Sequence, residues 1–161
     1  MTEKNWLQAR SVFDTLCQTL ENHHWHYLKN SEQLYIACEA QGEDLPMKIR
    51  VYVDPDRLLV TLVSYLPFRV PEALRDDFAL LICQINYRLL NGSFDFNYRT
   101  GKLGFRMTNS FQESFISQEL FTYMLFISCR IIDQYNDSML RITQGTLDVH
   151  SILDSLMEGD E

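Results

Sequence analysis

Three histidines, His23, His24 and His26, follow Glu21 closely and are the residues best suited by type to hold a metal. On a strand, His24 and His26 would project from one face. A closed site needs four ligands and partners that orient them, and no further Cys, His or Asp adjoins the segment. It reads as a turn and a strand edge, and no metal or other cofactor is expected. Asp76 and Asp77 are sequence neighbours, but adjacent residues of a helix do not face each other, so they read as a solvated helix face. Gly101-x-x-Gly104 lacks the Lys-Ser/Thr and the helix that a phosphate loop requires. No serine has the glycines of a hydrolase elbow, and no cysteine has a local histidine. No catalytic residue is expected. A long-range site around His24 or His26 is the remaining enzymatic alternative.

Cys17, Cys38, Cys83 and Cys129 are widely spaced, each among apolar residues. With no export signal at the N-terminus, they read as reduced thiols of the core. Arg50, Arg69, Arg75, Arg88, Arg99 and Arg106 surround the middle of the chain, with Tyr52, Tyr65, Phe68, Tyr87 and Tyr98 among them. Arg and Tyr are enriched in protein interfaces. Ordinary solvated faces would give the same pattern.

The elements that must carry these residues follow from periodicity. Residues 3 to 22 form an amphipathic helix with Trp6, Ala9, Val12, Phe13, Leu16, Cys17 and Leu20 on one side. Trp25 to Leu28, Gln33 to Ala40 and Met47 to Asp54 read as strands, separated by turns at Asn30-Ser31 and Gly42-Glu43-Asp44. Asp54-Pro55-Asp56 turns the chain into a fourth strand, Arg57 to Tyr65. This strand is apolar on both faces: Leu58, Val60 and Leu62 point one way, Leu59, Val63 and Tyr65 the other. Something must cover each face, whether the chain's own helices, a second subunit or a partner peptide. Val70-Pro71-Glu72 opens a helix that Asn91-Gly92 ends, and a hairpin follows over residues 93–107.

The last long helix starts after Ser117, a natural N-cap, and is apolar nearly all round. It is expected to be buried on more than one side, with a dimer or partner contact weighed against a central position in the domain. Val149, Ile152, Leu153, Leu156 and Met157 then mark a short acidic amphipathic helix, either docked or disordered. It could finish the core or guard an apolar groove.

The fold class expected is α+β, an antiparallel sheet with helices in the order α-β-β-β-β-α-β-β-α, with a further α at the end. The organisation expected is one domain over residues 1–145 and an acidic tail over 146–161. At 161 residues with 46% apolar and 22% charged, the chain is long enough to bury a core. The net charge is −8. Five acids lie in the tail, so the body through Gly145 is near −3, with 14 basic and about 17 acidic residues. That balance disfavours a general nucleic-acid role. The longest nearly apolar run, Phe121 to Ile132, is broken by Arg130 and is short of the ~20 residues of a membrane span. A cytoplasmic location without membrane contact is expected.

Leu66-Pro67, Val70-Pro71-Glu72, Asn86-Tyr87, Leu89-Leu90, Gly92-x-Phe94 and Gly101 form a run that resembles the YbjN family. The resemblance covers about residues 5 to 140. It implies the fold that family shares with the type III secretion chaperones, small acidic homodimers that hold an extended segment of a client. Family members are described as regulators of sensory transduction. The resemblance carries over no binding residues.

The reading that joins these observations is a homodimeric, non-enzymatic protein-binding domain, chaperone- or adaptor-like, that holds a segment of another protein. Leu59, Val63 and Tyr65 would receive that segment, and Arg50 and Arg69 would steer its acidic flanks. The alternative is a regulatory module that senses a small ligand between sheet and helices, walled by Phe94, Phe96, Phe105 and Tyr123.

Overall fold

A computed structural model describes residues 2–158. Helix α1 (Glu3–Asn22) begins at Thr2, whose hydroxyl accepts from the Asn5 N–H at 3.2 Å. Strands β1 (Tyr27–Asn30), β2 (Tyr35–Gln41), β3 (Pro46–Asp54) and β4 (Leu59–Arg69) follow. A single 3-10 turn (Glu72–Leu74) leads into α2 (Arg75–Arg88), and β5 (Ser93–Asn97), β6 (Lys102–Ser110), α3 (Gln118–Thr143) and α4 (Val149–Glu158) complete the chain. The six strands form one sheet, wholly antiparallel, in the order β1-β2-β3-β4-β6-β5. The α+β order matches the one expected.

Three hairpins share one device. Asn30, Asp54 and Asn97 each open a turn by accepting backbone N–H groups on the side-chain oxygen, as Asx turns do. Four residues on, Leu34, Leu58 and Gly101 each take positive φ (48°, 53° and 69°). Glycine is suited to that conformation; leucine pays roughly 1 kcal/mol or more for it. Leu34 is fully buried, and its carbonyl accepts from Val53 at 3.0 Å. Burial and the extra strand contact hold the strained residue in place.

The first strand begins later than the periodicity predicts, at Tyr27 instead of Trp25. His24 takes φ 57°, and the N–H of Trp25 reaches back to the Leu20 carbonyl at 2.9 Å. The chain is still closing α1 at Trp25, with His24 in the place glycine often fills. The fourth strand runs further than predicted, through Pro67 to Arg69. Its register with β6 shifts between Tyr65 and Arg69, a bulge that accommodates the missing proline N–H.

All the helical packing falls on one face of the sheet. α3 lies over β4 and β6, α1 packs on β3 and α3, and α2 packs on β5. Ile36, Cys38, Ile49, Val51, Val60, Leu62, Phe105 and Met107 point to that side and are buried in one cluster with Phe13, Leu16, Phe121 and Met124. Ser64 of β4 and Ser128 of α3, both fully buried, meet there at 2.6 Å between hydroxyls. The C-terminal helix is docked: Val149 and Leu153 are buried in the same cluster, α4 packs on α2, and Arg88 donates to the Leu156 carbonyl. It lies on the helical side of the sheet, where it finishes the core against α2.

Candidate functional site

Among the described residues no helix lies on the opposite face of the sheet. Strand register places its residues in rows, because directly paired residues share a face. Tyr35, Tyr52, Thr61 and Thr108 form one row. Leu28, Ala37, Arg50, Val63 and Arg106 form the next. Glu39, Lys48, Tyr65, Gly104 and Asp95 form a third. Leu59 stands beside Asp54 and Ser110 at one end, and Arg69 beside Lys102 at the other.

The sequence-derived set Leu59, Val63, Tyr65, Arg50 and Arg69 therefore lies along this helix-free face. Val63 and Arg50 are direct cross-strand partners. Val63 is 8% exposed even without a helix above it, set between its cross-strand partners Arg50 and Arg106. Leu59 and Tyr65 are half-buried. The two-sided apolar character of β4 thus resolves into a helix-covered row, Val60, Leu62 and Leu66, and an open row.

The register adds Leu28, Tyr35, Lys48 and Lys102 to that set and brings in Tyr52, one of the tyrosines set among the arginines in the sequence. Tyr35 and Tyr52 stack across β2 and β3, ring centroids 5.0 Å apart, with Tyr52 43% exposed. Leu28 on the edge strand β1 is 77% exposed. Lys102 sets its ammonium 3.7 Å from the Tyr65 ring centroid, a cation–π contact. Lys48, Tyr52 and Tyr35 alternate with apolar residues, so in one dimension they read as the wet side of ordinary strands.

Electrostatically the face is divided. Arg106 is committed to Asp95 through 2.6 and 3.0 Å contacts, and that carboxylate raises the guanidinium pKa above its usual value. Asp54 is held below the usual carboxylate range, first by the Arg57 backbone N–H and also by the Arg57 side chain. Arg50 and Arg69 each donate to one backbone carbonyl, Ile49 at 3.0 Å and Thr100 at 3.3 Å. Two open depressions lie on this face. One, about 380 Å³, is lined by His26, Tyr27, Leu28, Ala37, Cys38, Glu39 and Arg50. The other, about 320 Å³, lies at the β4 bulge beside Lys48, Tyr65, Arg69 and Lys102.

The other candidates separate in space. His23 contacts Thr122 at 3.1 Å and the edge of Phe126, while His24 closes α1. Among the described residues no group of three or more His, Cys, Asp or Glu could hold a metal. Asp76 accepts from the Tyr98 hydroxyl at 2.8 Å, and Asp77 faces His150 at 3.9 Å, so the two carboxylates work apart. Where the alternative reading puts a ligand pocket between sheet and helices, Phe94, Phe96 and Phe105 make ring contacts. Phe94 and Phe105 are buried edge to face at 5.2 Å, Phe94 meets Tyr135 at 5.9 Å, and Phe96 meets Phe78 at 5.8 Å. Tyr123 is exposed on α3, about 18 Å along the helix from Tyr135, so the four expected walls enclose no common cavity.

Among the described residues no helix is long and apolar enough to cross a membrane. No curated protein matches the chain. The crystal structure of YbjN from E. coli is similar in fold, with a TM-score of 0.58 at 14% identity, covering 79% of this chain and 92% of that one. The YbjN family, described as "Putative bacterial sensory transduction regulator", matches residues 13–141. That match spans most of the length, and the chain belongs to the YbjN family.

Proposed function

We propose that this chain is a non-enzymatic, protein-binding regulator that holds an extended segment of a partner protein on the helix-free face of its sheet, in the manner of a chaperone or adaptor. The observation that carries this reading is the one-sided packing. Every helix lies on one face, while Leu28, Tyr52, Leu59 and Tyr65 keep apolar surface on the other. Among the described residues strand β1 pairs with β2 alone, so its outer edge offers main-chain groups to an added strand.

Covering Leu28, Tyr52 and Leu59 would contribute roughly 1–2 kcal/mol for each side chain. Association costs several kcal/mol of lost freedom, so micromolar affinity is expected. A cytoplasmic homodimer belongs to the same proposal. Tyr123 and Phe126 sit one turn apart on the outer side of α3 and are 44% and 52% exposed, a stripe that a second copy would cover.

The test is fluorescence anisotropy of the full chain with labelled peptides of alternating apolar residues. The double variant Tyr52→Ala, Tyr65→Ala is expected to weaken binding at least tenfold with little change in melting temperature. Binding that survives this change, or that is lost on Phe126→Ala instead, would remove the sheet face as the site.

A further inference from the structure

We propose that the bulged end of the helix-free face recognises acidic side chains of the bound segment. This rests on the peptide-binding reading above and names the chemistry of the partner.

Four cations, Lys48, Arg50, Arg69 and Lys102, line one open depression with Tyr65, Leu66, Pro67 and Phe68, and no carboxylate lines it. The ion pairs among the described residues use none of the four. This concentration of positive charge sits on a chain of net charge −8. Glu39 stands opposite Lys48 across the strand pair without an ion pair to it; the four like charges around the depression repel one another, and an anionic ligand relieves that repulsion. Three of the heads are already placed: Arg50 by the Ile49 carbonyl, Arg69 by the Thr100 carbonyl and Lys102 by the Tyr65 ring. A guanidinium has five N–H donors, so each arginine keeps donors for a carboxylate.

The strand pairing is irregular at the same place. The β3–β4 ladder ends at Lys48 and Tyr65, and the β4–β6 ladder is interrupted between Tyr65 and Arg69. Leu66 to Phe68 form the bulge of β4, without one-to-one partners on β3 or β6, beside the four cations. An extended segment on the face would bring its main chain and its acidic side chains to one point.

The tyrosines argue for a peptide over a single-stranded nucleic acid. A base needs a free ring face. Tyr65 has its face covered by Lys102 at 3.7 Å, and Tyr35 and Tyr52 are packed on each other, tilted by 43°. A long polyanion would also have to pass Glu39, Asp54 and Asp95 of the same face.

The experiment compares three labelled peptides on the full chain by anisotropy. They share one alternating apolar segment and end in Asp/Glu, Asn/Gln or Lys/Arg. The acidic peptide is expected to bind at least tenfold tighter than the amide peptide, with the preference shrinking as salt rises from about 0.05 to 0.5 M. Arg69→Gln and Lys102→Gln are each expected to weaken the acidic peptide about three- to fivefold while leaving the amide peptide within about twofold. Equal binding of acidic and amide peptides would overturn the acidic preference and leave the peptide-binding reading standing. Failure of all three peptides would overturn both. Tighter binding of an oligothymidylate, or displacement of the acidic peptide by millimolar inorganic phosphate, would assign the pocket to phosphate and overturn the proposal.

Discussion

The Asn86 side chain holds Phe94 at two points, accepting its N–H at 2.8 Å and donating to its carbonyl at 3.0 Å. An amide at the end of α2 thereby stands in for a neighbouring strand on the open edge of β5. Gly92, at φ 79°, makes the approach possible, because a Cβ there would collide with the Phe105 ring. The Asn-aromatic and Gly-x-Phe pieces of the family run are parts of one structural joint. Asn86→Ala leaves two backbone groups of a buried residue unpaired and is expected to cost about 2 kcal/mol. A urea titration checks this, and a change under about 0.5 kcal/mol would deny the joint its role.

Ser64 and Ser128 pair in full burial between β4 and α3. Ser64→Ala or Ser128→Ala alone strands a hydroxyl and is expected to cost about 1–3 kcal/mol. The double variant is expected to cost less than the sum of the two, and a double-mutant cycle reads the difference directly.

Cys38 and Cys129 are pushed up by burial, to about 12 and about 11, with Cys129 adding to the shift at Cys38 and Asp133 to that at Cys129. Burial raises Cys17 as well. Cys83 is exposed on α2. Since the thiolate is the reactive form, one labelled cysteine, Cys83, is expected after brief alkylation of the folded chain at neutral pH, and four after unfolding. Intact mass and peptide mapping read the result.

Docking of α4 bears on the C-terminal segment and on assembly. A chain ending at Gly145 uncovers the α2 surface that Val149 and Leu153 bury, and is expected to lose roughly 3 kcal/mol or more. Light scattering of the full chain should give twice 19.0 kDa if the proposed dimer forms. Phe126→Glu should then halve it. A full-length mass of 19.0 kDa would remove the dimer from the proposal.

Asp54 has a folded pKa below its ordinary value, so its ionised form stabilises the native state. That contribution is present above the unfolded carboxylate pKa, near 4, and is lost as pH falls through the lower folded value. Asp54→Asn keeps the turn acceptor and loses the charge. It is expected to be less stable than the parent at pH 7 by about 0.5–1 kcal/mol and to converge with it near pH 2, as followed by thermal melts.

The order of elements was determined by the sequence alone, because periodicity, proline and Asx turn residues act locally. α1 with its buried stripe and the Ser117 cap whose hydroxyl accepts from Leu120 stand where their residue types place them, while α2 ends at Arg88, with Leu89 already extended, ahead of the Asn91-Gly92 pair expected to stop it. The two-sided apolar pattern of β4 also singled out Leu59, Val63 and Tyr65 as residues in need of an explanation. Register and side required the tertiary structure. Lys48 and Lys102 are 54 positions apart and reach one depression only because β3 and β6 flank β4. Leu34 and Leu58 adopt a backbone that their type disfavours, since buried contacts outweigh a local preference. Phe94, Phe96 and Phe105, which suggested a ligand cavity, close into ring contacts with one another, Phe78 and Tyr135, and Tyr123 lies exposed elsewhere, for the same reason. Which surfaces meet depends on contacts distant in sequence, and no local pattern of residue types encodes them.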